Sequence, residues 1–512
     1  MIFILKLGVR AILLFIKLIL SFYETNCYKL SNIMGIENFH TWIRQKYARC
    51  FLNSKIKFDY IYVDINHILH NSIYGCKDEK EFIQKIYFHL DLLFNNYLAI
   101  HGIFIAIDGP APYSKVLLQR KRRMQSIKNY NSSELSAIDL TPGTRLMENV
   151  NSSIKRYLDN LSNHFLFLNP TFSFKDVTNA DEGEIKIQKA LLENSKNDPQ
   201  ASHLIVGNDS DLVVLASAVQ HITNTYVLCK NKNSNEIISV QKLMKLIRDE
   251  YLTINNCIEN VKDNLHLDFV ILSIMIGNDY LPKLNYVNFN ILWKSYFDTK
   301  HLYPNLIEGN TFNTDFFIAF LSSIICRIRP PFRKFNKQKF NRSNIKNYLE
   351  GLLWCLEMYR TGECPMYDYF YCGDSSVGPI EVLHFLIINN DKIEIPRSDT
   401  EAISPEIYTL LLIPKKARSL IPDKYQKLID CELKEYFDND ECCEFKNLYS
   451  NQYSNCCKEQ KKFEMENSDT EVTRTKISEI SKRQNKHKLL HQVQKFDINS
   501  VKKIIEITQK II

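Results

Sequence analysis

The sequence predicts an α/β fold, a mostly parallel sheet flanked by helices and followed by a mainly helical second region. Three observations carry that prediction. Apolar runs at Ile61 to Val63, Ile103 to Ile107 and Leu204 to Val206 read as buried strands. Each run leads into an acidic residue: Asp64, Asp108 and Asp209. Helix-period segments separate the runs, and strands alternating with helices argue an α/β domain.

Taken in order, residues from Phe58 to Asp108 read as strand, helix, strand. Ile83, Ile86, Leu90, Leu93, Phe94 and Tyr97 supply the apolar stripe of the helix between the two acidic strand ends. Thr141-Pro142-Gly143-Thr144 is a turn that opens a helix through Met147, Val150, Ile154 and Leu158. Leu204 to Val206 and Leu212 to Leu215 flank the G-N-D-S-D loop, and Leu267 to Ile276 is a long apolar helix that delivers Asp279 just past its end. The acid-bearing pattern stops near residue 290. Residues 291–346 read as a basic connector centred on Pro330-Pro331, residues 347–430 as helical, and residues 431–512 as a charged, flexible tail.

The chain has 512 residues, 45% hydrophobic and 24% charged, which suits two or three globular domains. A net charge of +7 excludes a global basic field, so any nucleic-acid footprint is a local patch. Fourteen cysteines without a disulfide rhythm suit a reducing compartment. Cys442, Cys443, Cys456 and Cys457 are the one candidate zinc set, although adjacent cysteines are not the usual C-x-x-C spacing. Residues 1–33 are an apolar extension carrying Lys6, Arg10 and Lys17. It reads as a signal peptide, membrane anchor or organelle presequence, or as residues upstream of a true start at Met34.

Seven carboxylates form the main chemical signal: Asp64, Asp108, Glu182, Glu184, Asp209, Asp211 and Asp279. A lone Asp at a strand end is commonly a helix cap. D-x-D and E-x-E pairs gathered at the carboxyl end of an α/β sheet, where ligands bind, point instead to hard divalent cations with oxygen ligands. Two Mg²⁺ ions there, with Mn²⁺ as an alternative, would stabilise both the attacking water and the leaving oxygen of a phosphodiester. In the helix beginning at Tyr113, Lys115, Gln119, Arg122 and Arg123 share one face. Such a face is either a solvated basic stripe or, beside Asp108, a pocket for a terminal phosphate. His70, six residues past Asp64, is either a structural histidine or a ring that stacks on a base.

These blocks resemble the Xrn-type 5′→3′ exoribonucleases, within the wider flap-endonuclease and PIN-like group. Met34-Gly-Ile-Glu-Asn-Phe-His-Thr-Trp looks like that family's N-terminus. Tyr62-Val-Asp-Ile-Asn with His70, Ala106-Ile-Asp-Gly-Pro-Ala-Pro with Gln119-Arg-Lys-Arg-Arg, and Thr141-Pro-Gly-Thr through Met147 follow in the family's order. So do Glu182-Gly-Glu-Ile-Lys, Gly207-Asn-Asp-Ser-Asp-Leu and Gly277-Asn-Asp-Tyr-Leu-Pro. A weaker likeness continues at Trp354 to Tyr359, Met366-Tyr-Asp-Tyr-Phe-Tyr and Ile413-Pro-Lys-Lys-Ala-Arg.

By position, the resemblance implies that the seven acids bind metal and act in catalysis. It makes Lys115, Gln119, Arg122 and Arg123 the pocket for a 5′-monophosphate, and His70 a base-stacking ring. Tyr367 and Tyr369 stand where the family has a tryptophan-rich block, so they are the candidates for a second stacking ring. The implied fold is a nuclease domain over residues 34–290 and a second conserved region over residues 347–430. The implied activity is Mg²⁺-dependent, processive hydrolysis of 5′-monophosphorylated single-stranded RNA to nucleoside monophosphates, in RNA decay or processing. Nucleus or cytoplasm is the implied setting, an organelle if residues 1–33 target one, and a membrane only if they persist as an anchor. The rivals are a flap-type DNA nuclease and a non-catalytic RNA-binding relative. One departure is that Ala180-Asp181 replaces the family's usual proline and glycine before the E-G-E core.

Overall fold

The computed structural model describes residues 36, 39–52, 56–127, 130–163, 169–207, 211–219, 224–231, 234–255, 264–328, 340–373, 376–389, 392–437 and 496–511. Expectations for residues 1–33, Asp209, Pro330-Pro331 and the four tail cysteines fall outside them.

Nine strands are described: β1 (Phe51–Leu52), β2 (Lys57–Asp64), β3 (Leu98–Ala106), β4 (Thr171–Lys175), β5 (His203–Val206), β6 (Thr225–Asn231), β7 (Ser234–Ser239), β8 (Ile307–Glu308) and β9 (Thr311–Phe312). The first seven form one sheet in the order β1-β7-β6-β5-β2-β3-β4. The run β6-β5-β2-β3-β4 is parallel, and β7 and β1 close one edge antiparallel. Val63 is level with Ile105 on one side and with Val206 on the other, so these strands end together. The acid-bearing loops therefore leave from one edge.

Around the sheet lie α1 (Phe39–Lys46), α2 (Asn66–Ile73), α3 (Glu79–Asn96), α4 (Tyr113–Ser126), α5 (Arg145–Ser162), α6 (Gly183–Asn197), α7 (Asp211–Ser217), α8 (Val240–Asn255) and α9 (Leu265–Ile274). Beyond them come α10 (Phe289–Lys300), α11 (Thr314–Arg327), α12 (Arg342–Thr361), α13 (Pro379–Ile388), α14 (Pro405–Leu412), α15 (Asp423–Asp430) and α16 (Ile498–Ile511). Both sheet faces are buried, which is why the central strands are apolar without alternation. Ile61, Val63, Ile103, Ile105, Leu204 and Val206 pack under α2, α3 and α5, while Tyr62, Phe104 and Ile205 face the larger core opposite. The α3 stripe buries Phe82, Ile86, Leu90 and Phe94, with Asp78 capping the helix through the Glu81 amide. The expected Ile83 is only half-buried, since the core line steps by four from Phe82.

Two regions differ from the sequence expectation. Residues 289–327, read largely as connector, form α10 and α11, which pack on each other and bury Trp293, Tyr296, Phe316 and Phe320. Their core is continuous with the sheet's through Phe269 and Trp42. The region read as a flexible tail contains α16, whose Val501 and Ile504 are fully buried against α4 and α14. Short apolar segments among many charges conceal such a docked helix, because its partners lie far along the chain, at residues 405–412 and 113–126.

Candidate active site

Asp64 closes β2 just ahead of α2, its Oδ1 accepting the Asn66 backbone N–H at 3.1 Å. The same oxygen accepts from Asn66 Nδ2 at 2.6 Å. That amide nitrogen also donates to Asp108 Oδ1 at 2.7 Å, and Asn66 Oδ1 accepts the Asp108 backbone N–H at 3.2 Å. Asp108 Oδ1 further accepts the Gly183 N–H at 2.8 Å, the first free amide of α6. Two strand-end acids thus converge on one asparagine, each resting on a helix N-terminus that favours negative charge. Gly183 leaves the space open, because a Cβ there would lie 3.0 Å from Asp64 Oδ1 and 3.4 Å from Asp108 Oδ1.

Glu182, the N-cap of α6, is buried and accepts from Lys115 Nζ and from the Tyr280 hydroxyl. Lys115 also meets Asp279 Oδ2 at 3.0 Å, and Arg122 forks onto Asp279 at 3.0 and 3.5 Å. Burial opposes charge on Lys115, but Asp279, Glu182, Glu184 and Asp108 more than offset it and hold the ammonium well above the usual lysine range. Burial likewise works against the Asp279 carboxylate, yet Lys115 and Arg122 hold it down at about 2. Burial raises Glu182, with Lys115 pulling the other way. Glu184 lies two residues further along the same helix end, within the field of Lys115 and Tyr280. Asp211, first in α7, is buried and accepts the Ile36 N–H at 2.9 Å.

The basic face of α4 is divided by its partners. Lys115 and Arg122 serve acids, while Gln119 and Arg123 line a small cleft with Asn66, His70, Asp108, Pro142 and Met147. Gln119 Oε1 accepts from the Tyr408 hydroxyl at 3.1 Å, and Arg123 Nε donates to Thr141 Oγ1 at 3.2 Å, which fixes both side chains. His70 is exposed at the mouth; the groups packed around its ring and then Arg123 lower its pKa. Tyr369 does not reach this cleft. It is buried, stacks on Trp354 at 4.8 Å and donates to the Asn347 carbonyl at 2.8 Å, so its face is not open to a base. Tyr367 instead hydrogen-bonds Asp181. The carbonyls of Tyr367 and Tyr369 accept the first two N–H groups of α4, at 2.8 and 3.0 Å.

Asp181 lies in the left-handed region with φ 75°, where glycine is the usual residue. Its N–H donates to the Pro110 carbonyl at 3.0 Å and its carbonyl accepts from Gly109 at 2.9 Å, which ties the Glu182 loop to the Asp108 loop. Lys186 secures the same junction, donating to the carbonyls of Ile107 and Asp176 at 2.7 and 2.9 Å, and burial lowers its pKa to about 8. Sequence patterns assign no role to Asn66, Lys186, Tyr280 or Tyr408, and mark Asp181 only as a departure from the family pattern. Asn66 and Tyr280 stand inside quoted motifs and were findable there; Tyr408 arrives from 289 residues beyond Gln119 and had no local signal.

Among the described residues no three His, Cys, Asp or Glu side chains already converge as a metal cage. The donor set nonetheless fits a hard cation. It is all oxygen, it is concentrated at one sheet edge, and the gap beside Gly183 opens onto Asp64 and Asp108. Among the described residues no helix is long and apolar enough to cross a membrane.

Residues 34–231 match the family described as "XRN 5'-3' exonuclease N-terminus". The 5'-3' exoribonuclease 1 of Schizosaccharomyces pombe is 27% identical over 308 residues, covering 50% of this chain and 23% of that protein. The human 5'-3' exoribonuclease 1 is 26% identical over 309 residues, covering 50% of this chain and 18% of that protein. The chain thus spans about a fifth of the length of these relatives. Similar solved structures include the catalytic core of Rad2 in complex with DNA substrate, with 15% identity, TM-score 0.33 and coverage of 75% of this chain and 95% of that one. The T5 D15 protein co-crystallized with metal ions is 13% identical, with TM-score 0.29 and coverage of 60% and 89%. Over residues 34–231, the chain is thus similar to the N-terminal region of the Xrn-type 5′→3′ exonucleases.

Proposed function

We propose that the protein is a 5′→3′ exoribonuclease that hydrolyses single-stranded RNA from a 5′-monophosphate end, processively and to nucleoside monophosphates, in RNA decay or processing. The observation that carries this reading is the cleft between α2 and α4, which sets Gln119, Arg123 and His70 directly beside Asp108 and Asn66. Arg123 and Gln119 hold the terminal phosphate, one by charge and both by hydrogen bonds already oriented through Thr141 and Tyr408. Lys115 and Arg122 keep the acids charged and the phosphate side of the site electropositive. His70 offers a ring face to the terminal base. A cleft this small takes one phosphate and excludes a cap or triphosphate by size and charge. Asp64, Asp108, Glu182, Glu184, Asp209, Asp211 and Asp279 would hold the divalent ions, two Mg²⁺ or Mn²⁺, which supply an activated water and neutralise the charge developing at the scissile phosphate. No side-chain nucleophile is required.

The test is full-length protein with Mg²⁺ on 5′-monophosphate, 5′-hydroxyl and 5′-triphosphate forms of one single-stranded RNA. Nucleotide release from the monophosphate form alone, abolished by EDTA and restored by Mg²⁺ or Mn²⁺, is the expected result. Equal turnover of all three forms sinks the end selectivity. RNA binding without cleavage, unchanged by Asp108→Ala, would mean a non-catalytic relative.

A further inference from the structure

We infer that Asn66 is a positioning residue for the cation-binding acids: its carboxamide clamps Asp64 and Asp108 in the orientation a divalent ion needs, before any ion arrives. This rests on the metal-dependent reading above. Both hydrogens of one amide nitrogen are used, one toward Asp64 Oδ1 at 2.6 Å and one toward Asp108 Oδ1 at 2.7 Å. The amide cannot be turned over, because Oδ1 would then face two carboxylate oxygens and lose the Asp108 N–H that it accepts at 3.2 Å. The residue is fixed from its own backbone as well, since its N–H donates to Asp64 Oδ1 at 3.1 Å. Four hydrogen bonds therefore join the ends of two neighbouring parallel strands through one residue, three of them through its side chain.

The chemistry explains why an amide stands there. Two carboxylates facing each other without a cation repel and turn apart. A lysine in that place would neutralise them and compete with the ion, as Lys115 already neutralises Glu182 and Asp279. A neutral amide draws the same oxygens together with two dipoles and yields to a cation without a charge to expel. Outer-shell groups of this kind orient metal ligands and set affinity.

The test uses the full-length chain, with Mn²⁺ binding followed by titration calorimetry and melting followed with and without the ion. Asn66→Ala is expected to weaken Mn²⁺ binding by about ten- to a hundredfold. Hydrolysis of 5′-monophosphorylated RNA should then need correspondingly more Mn²⁺, with turnover at saturating ion recovering to within about tenfold of wild type. Asn66→Asp keeps the shape but puts a third carboxylate against the pair, so its metal-free melting temperature falls and Mn²⁺ restores it. Unchanged Mn²⁺ affinity in Asn66→Ala, or a metal-free Asn66→Asp that melts with wild type, overturns the clamp. If wild-type protein itself binds no Mn²⁺, the metal-dependent reading fails and takes the clamp with it. Wild-type binding matched by Asn66→Ala sinks the clamp alone.

Discussion

Lys115 shows how one side chain can change meaning between sequence and structure. In sequence it heads a basic face; in the fold it is nearly buried between Glu182 and Asp279. Removing one partner of such a group leaves the other charges buried without compensation, at a cost of about 3–5 kcal/mol. Lys115→Met is accordingly expected to lower stability by that order in denaturant unfolding, beyond any effect on turnover. Asp279 gives a pH signature. Its carboxyl is held at about 2 against its ordinary 3.8, so the folded state binds this proton less readily than the unfolded chain. That contribution is complete above about pH 5 and is lost as pH falls toward 2. Asp279→Asn should flatten the stability curve of metal-free protein across that acid range, and an unchanged slope would count against the ion pair. At Asp181, glycine would adopt φ 75° without the Cβ penalty, so Asp181→Gly is expected to raise the melting temperature by about 1–3 °C. The opposite sign would show that the bond to Tyr367 matters more than the strain.

At the scale of elements, what was legible depended on distance along the chain. The strand ends bearing Asp64 and Asp108, the helix between them and the turn at Pro142-Gly143 are local patterns, and each appears where its residues predict. α4 was legible as a basic helix, but the sorting of its face was not, because Asp279, Tyr408 and Thr141 decide it from elsewhere. Tyr369 failed as a stacking candidate for the same reason: Trp354 occupies its ring face. α16 is the largest miss. Arg120, on the side of α4 away from the acids, lies 3.9 Å from the Phe496 ring centroid and donates to the Leu411 carbonyl at 2.5 Å. Val501 and Ile504 add two fully buried side chains, worth about 1.5–3 kcal/mol each. Deleting residues 496–512 should therefore lower the melting temperature by at least about 5 °C and weaken RNA turnover through α4. A truncation that melts and turns over like the full chain would show that α16 contributes neither.

Over the whole molecule, the sheet-bearing half and the helical half share a core. Leu212 and Ile271 from the first belong to one apolar cluster with Trp293, Leu352 and Phe385 from the second. Gly362 marks how close the halves approach, since a Cβ there would stand 2.5 Å from the Lys189 amide of α6. Cooperative units follow packing rather than sequence blocks. Calorimetric unfolding should thus show one transition for both halves, and two separated transitions would contradict the shared core.

The seat of α4 has a consequence for the order in which the protein is made. Its acid-facing side meets partners from residues 141, 182 and 279, but its opposite side is closed by residues 408–411 and 496–504. A ribosome delivers the carboxylates long before it delivers the groups that hold α4 against them. Until residue 504 has emerged, the nascent chain has its acids but lacks the support that sets the cleft lined by Gln119 and Arg123. A chain assembled in that order completes its cleft only near the end of its own synthesis.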